Sequence, residues 1–224
     1  MARFSRLDVL NRMIHEGLVP VFYHADPEVA CRVAGACAAA GVTLFEFTNR
    51  GDQAIEVFQS LVQHCRKQLP EVIVGAGSVV EESTAALFAA QGANFIVGPS
   101  FNDRVARFCN RRKLAYIPGC ATASEIGEAE EAGVEIAKLF PCDAAGGPGF
   151  VKALLGPSPW TRTLATGLEV VNRETVTAWF KAGVSALGVG KELISKEAVE
   201  SADYAAITRR AVEICGWIRE ARGK

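Results

Sequence analysis

Eight times along this chain a short apolar run gives way to a helical segment, and four of the returns carry nearly the same joint. Ala40-Gly41-Val42, Gln91-Gly92-Ala93, Ala132-Gly133-Val134 and Ala182-Gly183-Val184 each end a helix on glycine and open a strand. The strand-like runs are Leu18–Tyr23, Val42–Thr48, Glu71–Gly75, Asn94–Val97, Leu114–Ile117, Val134–Leu139, Thr161–Ala165 and Val184–Val189. Helices are expected over Asp26–Ala40, Asp52–Lys67, Glu81–Ala90, Asn102–Arg112, Thr122–Ala132, Phe150–Leu155 and Asn172–Ala182. One more precedes the first strand from about Ser5, and a last one runs from about Asp203 to Arg222. Strand–helix alternation implies a parallel sheet, and eight units in 224 residues suit a closed α/β (β/α)8 TIM barrel with an extra N-terminal helix. The alternative is a doubly wound open sheet, but no GxGxxG follows the first strand. No linker or low-complexity stretch interrupts the pattern, so residues 1–224 read as a single barrel domain.

Composition narrows the function. Half the residues are hydrophobic and 22% are charged, as in a soluble globular enzyme. A net charge of −1 gives no electrostatic case for nucleic acid or an anionic membrane surface. No apolar run reaches the ~20 residues of a membrane span, and the N-terminus has no signal-peptide hydrophobic segment. The cysteines number seven and form no CxxC pair, which argues against a disulfide framework or zinc site. They read as small core residues in a reducing compartment, and the expected location is cytoplasmic.

Barrel enzymes carry their chemistry where strands end and the following loops begin. Alternation along the second strand turns Phe45 and Phe47 toward the helices, and Leu44 and Glu46 toward the interior. In the sixth strand Ala137 and Leu139 face out, while Ile136 and Lys138 face in. A buried ammonium is disfavoured in its charged form, so a lysine there is a nucleophile suited to forming a Schiff base with a ketone. Glu46 and Lys138 thus share one cavity, as a structural ion pair or as a base and a nucleophile. Lys138 alone also fits a lysine reaching to water from a strand end. Gly75, Gly77, Gly188 and Gly190 have a plain reading as glycines for tight strand-to-helix turns. His15 and His64 fall on helices and His24 follows the first strand. Cys120 and Cys142 read as packing residues.

Five segments in order, Phe45-Glu-Phe-Thr-Asn-Arg50, Val74-Gly-Ala-Gly-Ser-Val79, Ile117-Pro-Gly119 with Thr122, Ala137-Lys-Leu-Phe-Pro141 and Gly147-Pro-Gly-Phe-Val-Lys-Ala-Leu154, carry a resemblance. The chain resembles the class I 2-keto-3-deoxy-6-phosphogluconate (KDPG) / 4-hydroxy-2-oxoglutarate (KHG) aldolases from Leu18 to about Leu193. The resemblance implies reversible cleavage of a 2-keto-4-hydroxy acid to pyruvate and an aldehyde, glyceraldehyde 3-phosphate for KDPG. It assigns Lys138 as the Schiff-base lysine and Glu46 as the general acid/base. Arg50 and Ser78 would hold the pyruvoyl carboxylate, Phe140 would cover the pyruvoyl group, and Pro118 and Thr122 would line the pocket. Gly167, Gly190 and Lys191 would meet the distal end of the substrate. The resemblance implies no cofactor and no metal, because the imine polarises the ketone, and it implies a homotrimer.

Three positions depart from the family pattern. Leu168 replaces a glycine after the seventh strand, Lys191 stands where serine is usual, and Tyr23 occupies a position held by arginine in several relatives. The pyruvate half looks intact. The distal half is open between a phosphorylated aldehyde, glyoxylate from 4-hydroxy-2-oxoglutarate, and another sugar-acid fragment. A metal- or phosphate-dependent barrel enzyme would want paired Asp/His ligands on strand ends, which the sequence lacks. A noncatalytic sugar-acid binding protein would be expected to have lost Lys138 or Glu46, and both are present.

Overall fold

A computed structural model describes residues 2–223. The chain opens with α1 (Arg6–Glu16) and then runs β1 (Leu18–Phe22), α2 (Pro27–Ala39), β2 (Leu44–Thr48), α3 (Ala54–Gln68), β3 (Ile73–Gly77), α4 (Glu82–Gln91), β4 (Phe95–Val97), α5 (Asp103–Arg112) and β5 (Ala115–Ile117). It continues through β6 (Gly119–Cys120), α6 (Ala123–Glu131), β7 (Ala137–Leu139), α7 (Gly147–Leu154), β8 (Thr163–Thr166), α8 (Arg173–Ala182), β9 (Ala186–Val189), α9 (Lys196–Glu200) and α10 (Tyr204–Ala221).

All strand pairs are parallel, in the order β5-β4-β3-β2-β1-β9-β8-β7-β6. The two ends of that order are consecutive pieces of one strand broken at Pro118. Eight expected strands therefore become nine segments, because proline has no N–H to give to a ladder. The barrel closes around the break. Gly119 N donates to Gly98 O on one side (3.0 Å), and Lys138 N donates to Pro118 O on the other (2.8 Å).

The strands divide the core in two. Phe45, Phe47, Ala137, Leu139, Ala165 and Leu187 pack outward against the helices. Val19, Leu44, Ile73, Phe95, Ile136, Leu164 and Ala186 fill the interior, and Val9, Leu10 and Met13 of α1 plug its N-terminal end. Each of the larger of these side chains contributes about 1.5–3 kcal/mol on burial, so a shift of one residue, which would invert both sets, is strongly opposed. α1 is held in place by a capping box, in which Ser5 and Asp8 satisfy each other's backbone N–H groups.

Several boundaries differ from the sequence reading, for local reasons. The sixth strand is only Ala137–Leu139, because Gly133 N and Val134 N bond back to Glu130 O and Ala129 O and finish α6 instead. The third strand lies at Ile73–Gly77 rather than Glu71–Gly75, since Val72 N turns back to Leu69 O. The helix expected from Phe150 begins at Gly147, with Pro148 in its first turn. α9, capped by Ser195, was not expected at all. No helix among the described residues is long and apolar enough to cross a membrane.

Candidate active site

Glycine shapes the C-terminal end of the barrel. Gly75, Gly77 and Gly188 have no left-handed backbone, so the reading of them as turn glycines is corrected. They are there for room. A Cβ on Gly75 would collide with the Phe95 ring, one on Gly77 with the Glu46 carboxylate, and one on Gly188 with Thr166 Oγ1. The Phe95 ring thereby fills the bare side of Gly75 in the barrel interior.

Glu46 and Lys138 are buried in the same interior, 1% and 6% exposed. The ladders set their direction: Glu46 pairs with Val21 and Gly75, and Lys138 with Gly119 and Leu164. Burial pushes the Glu46 carboxyl above the ordinary carboxylate range, while the charges of Lys138 and Arg50 pull it back down. The two side chains do not form a direct ion pair within 4.0 Å, and Glu46 Oε1 is buried without a hydrogen-bond partner. An unpaired buried polar atom costs about 1–3 kcal/mol, more if charged, so a purely structural pair would be expected to close this gap. Lys138 Nζ lies 4.8 Å from the centroid of the Phe140 ring, near enough for cation–π attraction.

Above this pair is a cavity of about 430 Å³. Thr48, Arg50, Phe140, Thr166, Leu168 and Lys191 are among its lining residues, as are Tyr23, Gly167 and Gly190. Thr48 and Thr166 follow Glu46 and Leu164 by two residues on the same inward faces. Glu46 and Lys138 therefore sit one layer deeper than the cavity lining. Thr166 Oγ1 is a second orphan, buried and unpartnered. Tyr23 packs its ring on Phe47 at 5.6 Å and presses its hydroxyl against Gly51, where any side chain would collide with it.

The structure thus brings Glu46, Lys138, Arg50, Phe140, Gly167, Gly190 and Lys191 to one end of the barrel. Pro118 is buried at the strand break beside Lys138 and does not line the cavity. Ser78 follows Gly77 in a left-handed conformation (φ 58°), half-buried and also outside the lining. Thr122 is a correction. It is exposed and caps α6 in a capping box with Glu125, which uses its hydroxyl locally and leaves it outside the cavity. Sequence reasoning missed Thr48 and Thr166, although a period of two counted on from Glu46 and Leu164 reaches both. His24 accepts the Asp26 N–H through Nδ1 and does not line the cavity. Cys120 and Cys142 are buried, and burial pushes both thiols up to about 12.

Comparison with known proteins identifies the family. The family model for KDPG and KHG aldolase matches residues 9–210. The 2-dehydro-3-deoxy-phosphogluconate aldolase of Pseudomonas aeruginosa is 33% identical over 210 residues, covering 93% of this chain and 91% of that protein. The KHG/KDPG aldolase of Escherichia coli is 31% identical over 197 residues, covering 88% and 89%. Among solved structures, the KDPG aldolase of Legionella pneumophila with pyruvate captured as a covalent carbinolamine superposes with a TM-score of 0.82. It is 26% identical and covers 91% of this chain and 96% of that one. The chain belongs to the KDPG and KHG aldolase family.

Proposed function

We propose that this protein is a class I aldolase, a carbon–carbon lyase that cleaves a 2-keto-4-hydroxy acid reversibly into pyruvate and an aldehyde. The observation that carries the reading is the buried, unbridged Glu46–Lys138 pair beneath an open cavity, with Glu46 Oε1 free to take a proton.

In this reading the Lys138 amine attacks the C2 ketone to give a carbinolamine; Glu46 gives a proton to its hydroxyl, which leaves as water, and a protonated imine remains. Glu46 takes the proton of the C4 hydroxyl as the C3–C4 bond breaks. The bonding pair flows into the imine, the aldehyde departs, and an enamine of pyruvate remains. Glu46 returns the proton to C3, and water releases pyruvate and restores the amine. Phe140, close over Nζ, keeps water from the imine. Arg50, at the cavity wall, suits the pyruvoyl carboxylate with its planar fork. Ser78 serves the same carboxylate and Pro118 supports the strand break beside Lys138, while Gly167, Gly190 and Lys191 of the cavity lining receive the rest of the substrate.

The phosphorylated six-carbon acid KDPG, yielding glyceraldehyde 3-phosphate, is the substrate the relatives' names favour. Leu168 supports a second reading, 4-hydroxy-2-oxoglutarate or another sugar acid, because it buries an apolar side chain in the outer wall. The family resemblance also supports a cytoplasmic homotrimer. Exposed Leu87 on α4 and Val212 on α10 offer apolar surface for such contacts.

Borohydride reduction in the presence of pyruvate, followed by peptide mass mapping, tests the reading. A pyruvate adduct on Lys138 is expected. A folded protein that traps none is not an imine-forming pyruvate aldolase.

A further inference from the structure

Two loops frame the outer cavity, and a single exposed carboxylate ties one to the other. The first leaves β7 as Phe140-Pro-Cys-Asp143, carrying the ring that lies against Lys138. The second leaves β8 as Gly167-Leu-Glu169, carrying the leucine of the outer wall. Gly167 adopts a left-handed conformation (φ 94°), which turns its α-carbon toward Phe140 and Pro141: a Cβ there would stand 3.4–3.5 Å from them. Cys142 N donates to Thr166 O (2.9 Å) and Glu169 N donates to Asp143 Oδ2 (2.8 Å). Leu168 lies between the two tied residues, 8% exposed, with its side chain at the cavity. The backbone bond at Cys142 continues the strand pairing of β7 with β8. The bond at Asp143 is different, because a side chain makes it and the strand pairing does not require it.

Asp143 has little else to do. Its other oxygen takes only a long contact from the Cys142 thiol at 3.9 Å. Among the described residues no lysine or arginine lies within ion-pair distance of it. A carboxylate accepting one backbone N–H is a directional, charge-assisted tether. Without it the Gly167–Glu169 turn would hang on a glycine with left-handed freedom, and Leu168 would lose its fixed place.

We infer that Asp143 is a positioning residue: by holding the Glu169 N–H it sets Leu168 in the outer wall and so tunes affinity for the aldehyde half of the substrate. The inference rests on the aldolase reading and concerns only the outer end of the same cavity. Pyruvate reaches Lys138 without touching that end, which separates the two.

The experiment compares wild type, Asp143→Ala and Asp143→Asn in steady-state cleavage of KDPG and in borohydride trapping of pyruvate. Loss of one tether of this kind is expected to raise KM roughly three- to tenfold in Asp143→Ala, with a smaller change in kcat. Pyruvate trapping should proceed at the wild-type rate, and Asp143→Asn, which keeps an acceptor oxygen, should recover most of the KM. An unchanged KM in Asp143→Ala overturns the inference. So does a parallel loss of trapping, which would place the effect on the Lys138 loop, or an Asp143→Asn variant as impaired as the alanine. If wild type traps no pyruvate, the aldolase reading falls and this inference falls with it.

Discussion

Gly77 lies against the carboxylate of Glu46, where a methyl group would overlap Oε1 and stand 2.7 Å from Cδ. The register pairs Gly77 with Thr48 and Glu46 with Gly75, so the glutamate leans up the barrel across the vacant side of Gly77. The missing side chain leaves the carboxylate upright and its Oε1 free.

Gly77→Ala should therefore injure catalysis more than stability. Overpacking at a buried site costs about 1–3 kcal/mol. A displacement of the carboxylate by about 1 Å is worth on the order of 10²-fold in kcat. Thermal unfolding and steady-state cleavage on the same sample separate the two, and a folded variant with wild-type kcat would remove Gly77 from this role.

Glu46→Gln should lower kcat by roughly 10²–10⁴-fold, the usual range for a lost general acid/base. It should also change how stability depends on pH. Burial raises the Glu46 carboxyl above its ordinary value of 4.5, so the folded barrel holds the neutral acid better than the carboxylate. The stability from this group is present in full below about that value and is lost as pH rises through the raised one. The glutamine variant has nothing to ionise. Its Tm should match wild type near pH 4 and exceed it at pH 8, and a constant difference would show that the carboxyl is not raised.

Lys191→Met tests what the cavity mouth recognises. Lys191 is exposed and lines the outer wall, so its ammonium acts as a salt-screened point charge. With KDPG, kcat/KM should fall about tenfold at low ionic strength and less at high salt. Trapping of pyruvate should stay unchanged. Full activity toward KDPG in this variant would show that Lys191 takes no part in recognising that end.

Thiol reactivity should follow burial. Burial pushes Cys37, Cys65, Cys109, Cys120 and Cys142 up to about 12, and thiols are poor nucleophiles until ionised. Cys31 and Cys215 are only half-buried. A disulfide reagent at pH 8 should modify at most these two in native protein, and the rest only after denaturation. Prompt reaction of Cys142 would mean that the loop after β7 opens in solution.

Much of this architecture was legible from side-chain alternation. Placing Phe45 and Phe47 outward turned Glu46 inward, and the same reasoning at Ala137 and Leu139 placed Lys138; the two core layers agree on both. Gly75 and Gly77 were harder to read. A glycine that permits a turn and a glycine that vacates space look alike in sequence, and only the positions of Phe95 and Glu46 tell them apart. Thr122 failed for a related reason, since its hydroxyl is suited equally to a pocket and to a helix start, and α6 claimed it. The five residues of α9 are too few to show a helical period. Asp143 gave no signal, because the bond it makes joins loops 26 residues apart.

The glycines at the top of the barrel have one more consequence. Around Glu46, Gly75 and Gly77 present bare main chain to Phe95 and to the carboxylate, which substitution can obstruct but not enlarge. The outer end of the cavity is built from Tyr23, Leu168 and Lys191, side chains on loops that can be exchanged one at a time. A lineage with this design inherits a fixed way of breaking a bond and a replaceable choice of which molecule is broken.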